Sequence, residues 1–170
     1  MNRNIQSIEV YMNTIRKAIE SDIKGIVKLL LQVDMIHHNA RPDIFKGPAH
    51  KYTEDELKDL LNDENSPVFV CVDEHDNVIG HAFCVCKQEI NHNVLTDIKT
   101  LYIDDICVDE NMRGKNIGKS LYDFVVDYAK ENDFYNITLN VWECNPGALE
   151  FYKKMGLVPQ RITMEKILKD

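Results

Sequence analysis

The 170-residue chain lacks the cysteine patterns that would commit it to a metal centre or a disulfide framework. Cys71, Cys84, Cys86, Cys107 and Cys144 form no C-x-x-C pair and no zinc-like spacing, and their number is odd. No apolar run approaches the length of a membrane span, and the first residues lack the unbroken apolar core of a signal peptide. Reduced, mostly buried thiols in a cytoplasmic protein with no membrane partner are the expectation. Positive charge is also in short supply. Twenty Lys and Arg stand against 28 Asp and Glu, for a net charge of −8. That balance disfavours non-specific nucleic-acid binding and suits a cationic substrate. No linker, repeat or low-complexity stretch divides the chain. One domain over 12–170 is expected, with 1–11, ahead of Met12, as an N-terminal extension.

What is present reads as alternating strands and helices. "NTIRKAIESD" predicts a short strand around Ile15–Ile19, then a helix capped by Ser21 or Asp22, with Ile23, Ile26, Val27 and Leu30 at helical spacing. The helix is expected to end near "DMIHHNARPDIF", where Pro42 imposes an extended or turned chain. Thr53 with Glu56 makes a capping box for a second helix, whose apolar face is Leu57, Leu60 and Leu61. "PVFVCVDEHDNVIGHAFCVC" predicts a hairpin with "DEHDN" at its tip. "LYIDDICV" is a further strand, on which the neighbours Asp104 and Asp105 should face opposite sides. Beyond it "IGKSLYDFVVDYAKEN" is an amphipathic helix, "FYNITLNVW" a strand, and "CNPGALEFYKKM" a helix. That last helix has Asn145 as cap, Pro146 in its first turn and Gly156 past its end. "QRITMEKIL" is expected as a final strand. The order β-α-α-β-β-β-α-β-α-β is that of a mixed α/β sheet.

The stretch "RGKNIGKS" invites comparison with a phosphate-binding P-loop, G-x-x-x-x-G-K-[ST]. The left-hand glycine is displaced to Gly114, and no later strand ends in the acidic residue that magnesium would need; "ITLNVW" carries Asn140 there. The arrangement of strand, glycine loop and helix still turns backbone N–H groups and a positive dipole end outward, which attracts phosphate. Arg113, Lys115 and Lys119 add local positive charge to an acidic protein.

In a different register the same residues carry a family pattern. "DDICVDENMRGKNIGKSL", followed by "ITLNVWECNPGALEFYKKMGL", resembles the GNAT superfamily of N-acetyltransferases. Its loop signature Q/R-x-x-G-x-G/A reads here Arg113-Gly114-Lys115-Asn116-Ile117-Gly118. Its second signature is met by Asn145, Ala148, Phe151, Tyr152 and Gly156. The resemblance runs from "TIRKAIESD" to "RITMEKIL". It implies a GNAT-like α/β fold: a mixed, mostly antiparallel sheet flanked by helices and splayed between the strands near 101–108 and 135–142. It also implies that acetyl-coenzyme A is bound by the backbone of Ile106, Cys107 and Val108, by the loop Arg113 to Gly118 with Lys119, and by Asn145, Ala148 and Tyr152. One residue departs from the pattern: Asn116 stands where glycine is usual. Asparagine is the non-glycine residue that reaches positive φ most readily, so the loop should still close.

The resemblance further implies direct acetyl transfer to a primary amine, with a small cationic amine favoured. Protein N-termini or lysines, or coenzyme A binding without turnover, stand as alternatives. Tyr152 matches the position that protonates the departing sulfur. Asp104, ahead of Glu143, is the candidate to orient the amine or relay its proton. His37, His38, Arg41 and Phe45, with Asp104, are candidates for the acceptor side, in what should be a loop between the first two helices. His37-His38 lacks further ligands at useful spacing, so no metal is expected. Cys107 is a thiol in a buried strand, inert by the usual rule. A homodimer through the final strand is possible by analogy with relatives.

Overall fold

A computed structural model describes residues 13–49 and 51–168. They fall into two compact units, the first ending at Asn140 and the second beginning at Val141. The N-terminal extension, 1–11, lies outside the described residues.

The first unit is a five-stranded sheet between two helical layers. Strands β1 (Thr14–Lys17), β2 (Val68–Val72), β3 (Val78–Gln88), β4 (Lys99–Val108) and β5 (Asn136–Leu139) lie side by side in chain order. The first three pairings are antiparallel and β4 with β5 is parallel. Helices α1 (Ile23–Ala40) and α2 (Glu54–Leu61) cover one face, and α3 (Ile117–Glu131) covers the other. Strand alternation sorts the side chains. Val68, Val70, Val72 and Phe83 pack with Ile26, Leu30 and Leu57 on the α1/α2 face. On the α3 face Phe69 meets the rings of Phe124 and Tyr128 edge-on, at centroid distances of 5.1 and 5.0 Å. Burial of these branched and aromatic groups on both faces is the main source of stability.

Local chemistry fixes the ends of the elements much as the sequence implies. Thr53 Oγ1 accepts from the Glu56 N–H, while Glu56 Oε2 accepts from the Thr53 N–H at 2.7 Å. The β2–β3 turn is held by Asp73, whose Oδ1 accepts from the N–H groups of His75 and Asn77, and Asp76 takes the left-handed conformation there.

Three expectations need correction. First, α1 runs through Ala40, so His37 and His38 stand on its last turn rather than in a loop. Nothing between Met35 and Ala40 breaks a helix, and the stop waits for Pro42. Its start also differs. Asp22 makes no side-chain cap; a 3-10 turn, Glu20–Asp22, precedes the helix, and the Asp22 carboxylate accepts from Arg16 and from the Ile19 N–H.

Second, Asp104 and Asp105 share a face. The β3–β4 register steps from Phe83↔Asp105 to Cys84↔Ile103, so β4 carries one extra residue, Asp104. Such a bulge reverses the alternation beyond it. Third, no strand forms over 157–168. Val158, Ile162, Met164 and Leu168 are exposed there, and without a neighbouring ladder their backbone has nothing to pair with. The preceding strand also stops early, at Leu139 rather than 142.

Pairing between β4 and β5 covers Thr100↔Asn136 to Ile103↔Leu139 and goes no further, so the last five residues of β4 run past the end of β5. The close approach of α3 to this part of the sheet depends on Gly80, where an added Cβ would lie 2.8 Å from Leu121 and 3.1 Å from the Cys107 carbonyl oxygen. Gly80→Val should therefore lower stability by about 1–3 kcal/mol through overpacking, measurable as a reduced midpoint in urea titration.

Candidate active site

The loop after β4 begins at Asp109, and contacts made by Asn111, Lys28 and Gln32 set its position. The carboxylate of Asp109 accepts from the Asn111 N–H and from Lys28 Nζ, each at 3.0 Å. These donors hold it below the ordinary carboxylate range, the Asn111 N–H contributing most. From α1, Gln32 spans the junction: Nε2 donates to the Val108 carbonyl at 3.1 Å and Oε1 accepts from the Glu110 N–H at 3.0 Å. Sequence reading missed Gln32. It is one polar residue in an amphipathic helix, and only the tertiary fold shows that it faces β4.

The loop closes on two left-handed residues, Gly114 at φ 78° and Asn116 at φ 61°. Asn116 thus takes the conformation expected of it, directly before α3. It is the N-cap of α3, yet its side chain makes no capping hydrogen bond. The first intrahelical bond runs from the Ser120 N–H to the Asn116 carbonyl, leaving earlier N–H groups of the turn without helical partners. Around Gly114 nothing lies within 4 Å of where a Cβ would stand. A capless helix start, an open glycine and the cations Arg113, Lys115 and Lys119 fit a pyrophosphate. Lys119 also pairs with Asp123 one turn on.

The second cluster lies under α1 on the face to which the bulge turns both aspartates. Asp104 Oδ2 accepts from Lys51 Nζ at 2.7 Å and from the Tyr52 hydroxyl at 3.3 Å. The Tyr52 ring stacks on Phe83, with centroids 5.7 Å apart. Asp105 Oδ2 lies 2.7 Å from Nε2 of His81, which is fully buried on β3. Asp34, from α1, accepts from the Lys51 N–H at 3.1 Å. Burial pulls the Lys51 ammonium down, but its bond to Asp104 and the charges of Asp104 and Asp105 outweigh it, and the net shift is upward. Burial and the neighbouring charge of Asp105 raise the Asp34 carboxyl. Burial pushes Asp105 upward too, yet the bond from His81 and nearby cationic groups hold it low.

Not every acceptor-side candidate reaches this cluster. The charge of His37 acts on both Asp34 and Asp105, and its ring stacks on Phe45 at 5.0 Å. His38 turns instead to the Phe45 carbonyl, 2.8 Å from Nδ1. Arg41 forks onto Asp43 in the same loop, at 2.7 and 2.9 Å. Ile106 and Val108 face Ala82 and Gly80 across the ladder. Cys107 is buried beneath α1, its Sγ 3.7 Å from the Leu29 carbonyl, and burial pushes its thiol up to about 12. A thiol so placed is protonated at neutral pH and unsuited to carrying an acetyl group. Among the described residues no three His, Cys, Asp or Glu side chains gather as a metal site. No helix among them is long and apolar enough to cross a membrane.

The second unit holds the remaining candidates. Asn145 Oδ1 accepts from the Ala148 N–H at 3.2 Å and caps α4 (Pro146–Lys154), with Pro146 at its first position. Gly156 ends that helix at φ 88°. Tyr152 stands on α4, its ring edge-on to Phe151 at 5.2 Å. Glu143 lies in the exposed turn before the cap.

Residues 33–157 match the family model described as Acetyltransferase (GNAT) family. The chain belongs to the GNAT family. Members take the acetyl group from acetyl-coenzyme A, the donor that the loop and the start of α3 suit. A solved variant of the BH1408 protein from Bacillus halodurans is 31% identical, covering 92% of this chain and 99% of that one with a TM-score of 0.88. Glucosamine 6-phosphate N-acetyltransferase of Arabidopsis thaliana is 29% identical over 51% of this chain and 64% of its own length. Peptidyl-lysine N-acetyltransferase YjaB of Salmonella typhimurium is 31% identical over 59% of this chain and 58% of its own. The matched region thus spans less than two thirds of either curated relative's length.

Within this GNAT domain the loop conformation makes a sharp test. Asn116→Gly should retain coenzyme A affinity. Asn116→Val, with a β-branched residue forced to positive φ at a cost of order 1–3 kcal/mol, should weaken it about tenfold or more. Equal dissociation constants for the two variants by calorimetry would refute the conformational argument. Gln32→Ala, which frees both the end of β4 and the start of the loop, should also weaken coenzyme A binding several-fold while the melting temperature changes little.

Proposed function

We propose that the protein is an N-acetyltransferase that moves the acetyl group of acetyl-coenzyme A directly to a primary amine on a small cationic molecule. One observation carries this reading: a positively charged, capless helix start suited to a polyanion stands in the same unit as a carboxylate cluster suited to a cation. Relatives named for glucosamine 6-phosphate and for peptidyl-lysine acetylation support the amine, and the acidic cluster supports its charge.

The acetyl group arrives as a thioester, activated for attack by an amine. The chain must then do three things. It must receive an alkylammonium, whose ordinary pKa near 10.4 keeps it protonated at neutral pH. It must allow that proton to leave and steady the developing oxyanion, for which the backbone N–H near Val108 is the candidate. It must also supply a proton to the departing sulfur. Tyr152 is the candidate acid, and Asp104 with Lys51 lines the acceptor side. An orienting role suits Asp104 better than that of a free base, because Lys51 and Tyr52 already bond to it. Glu143 is the weaker candidate, exposed as it is in its turn.

An acceptor screen with mass detection of the acetylated product, including spermidine, glucosamine 6-phosphate and a lysine peptide, tests the reading. Acetylation of a small cationic amine is the expected result; release of coenzyme A with none of the amines would reject it. Tyr152→Phe should lower kcat about tenfold or more, within the range typical of losing a general acid, with the acetyl-coenzyme A dissociation constant little changed. Unaltered turnover in that variant would remove Tyr152 as the acid.

A further inference from the structure

We infer that Asp105, oriented by the buried His81, is the group that anchors the acceptor's ammonium, with His81 as its positioning residue. The assignment rests on the acetyltransferase reading above and names the residue that gives its acceptor side a preference for cations.

Three carboxylates meet on this face, and among the described residues a single ammonium, that of Lys51, is bonded to them. Lys51 gives its ammonium to Asp104 and only its backbone N–H to Asp34. Asp104 is therefore already satisfied by a cation and by the Tyr52 hydroxyl. Asp105 differs. Among the described residues its hydrogen-bond partner is His81 alone, through one oxygen. A carboxylate accepts several hydrogen bonds, so the second oxygen retains capacity for a donor. Negative charge left in a poorly solvated place calls for a cation.

His81 is a specific device for keeping that charge in place. Its ring has no exposure to solvent. Nε2 faces the carboxylate at 2.7 Å, and toward an ionised carboxylate, which only accepts, it is the donor. Nδ1 is buried with no hydrogen-bond partner among the described residues. A bare lone pair at Nδ1 tolerates that better than an N–H would, which leaves Nε2 as the ring's donor to Asp105. The edge of the His81 ring meets Phe83 at a centroid distance of 5.0 Å, which fixes its plane. His81 thus aims Asp105 and, by its bond to the carboxylate, favours the ionised form. Such a carboxylate suits binding an ammonium better than removing its proton.

The groups facing the pair are Asp34 and His37 from α1, Lys51 and Tyr52 from the segment before α2, and Asp104 and Cys107 from β4. Of these, His37 is the imidazole, and His37→Gln serves as the control for it.

Two measurements test the assignment, with spermidine as the probe cation. In the first, Asp105→Asn should raise the acceptor KM at least tenfold while the acetyl-coenzyme A KM stays within twofold. His81→Phe should move the acidic limb of acceptor kcat/KM to higher pH, because the carboxylate loses its donor. His81→Gln, whose amide still donates, should restore most of the profile. An Asp105→Asn acceptor KM within twofold of the unaltered protein, or a His81→Phe profile superimposable on it, would overturn the assignment while leaving the acetyltransferase reading intact. The second measurement needs no turnover and no His81 variant. Spermidine should shift the His81 ring ¹⁵N resonance in the unaltered protein and not in Asp105→Asn. Equal shifts in both, or none in either, would overturn the assignment even if every amine proved inert in the acetylation screen.

Discussion

A single extra residue in β4 organises the first unit. Up to Ile103 the strand pairs on both edges, with β3 on one side and β5 on the other. At Asp104 the β3 register slips by one, and pairing with β5 ends at the same level. Two consequences follow from that one insertion, and the end of the pairing with β5 coincides with it. Alternation reverses, so Asp105 and Cys107 come to the α1 face that Leu101 and Ile103 avoid. Both aspartates gather beneath α1. The backbone beyond the bulge runs on without β5 beside it. Bulges bend and twist the strand that carries them, and here the irregularity gathers the carboxylate pair at the level where β5 no longer lies beside β4.

Helix α1 then ties the two ends of the site together. Its middle carries Lys28 and Gln32, which fix the start of the glycine loop. Its last turns carry Asp34 and His37, whose charges act in the acidic cluster. The 18-residue length of the helix is what allows this reach, at about 1.5 Å of rise per residue. A helix ending before Asp34 would have left the cluster without one of its walls.

The features legible in the sequence were those governed by local chemistry. The capping box at Thr53 and Glu56, the Asn145 cap, the turn at Asp73–Asn77 and the left-handed Asn116 each depend on a few adjacent residues, so their signatures survive without tertiary information. Features set by pairing were not legible. A bulge leaves no mark in a run such as "YIDDICV", because its cause lies in the register with β3 rather than in β4 itself. His81 is one polar residue in an apolar strand and Lys51 one lysine among many, and nothing in the sequence sets either apart. The segment 157–168 failed in the opposite direction. Its β-branched and apolar residues have the composition of a strand, but a strand is made by a neighbour, and none pairs with it here.

The distribution of charge gives the last constraint. A net charge of −8 would repel a polyanionic cofactor if it were spread evenly. The chain instead concentrates cations around Gly114, at Arg113, Lys115 and Lys119, next to a helix start that adds its own positive end. It concentrates carboxylates at Asp34, Asp104 and Asp105. β4 and its loop carry members of both groups, Asp105 being only eight residues before Arg113 by the numbering. Debye screening extends about 8 Å at physiological ionic strength, so each cluster presents its own sign locally despite the overall balance. Two substrates of opposite charge can therefore be sorted to their own ends of one short segment. Lys51 limits the cost of the arrangement. By satisfying Asp104 it lets neighbouring carboxylates persist on one face, leaving Asp105 as the negative charge that an incoming ammonium completes.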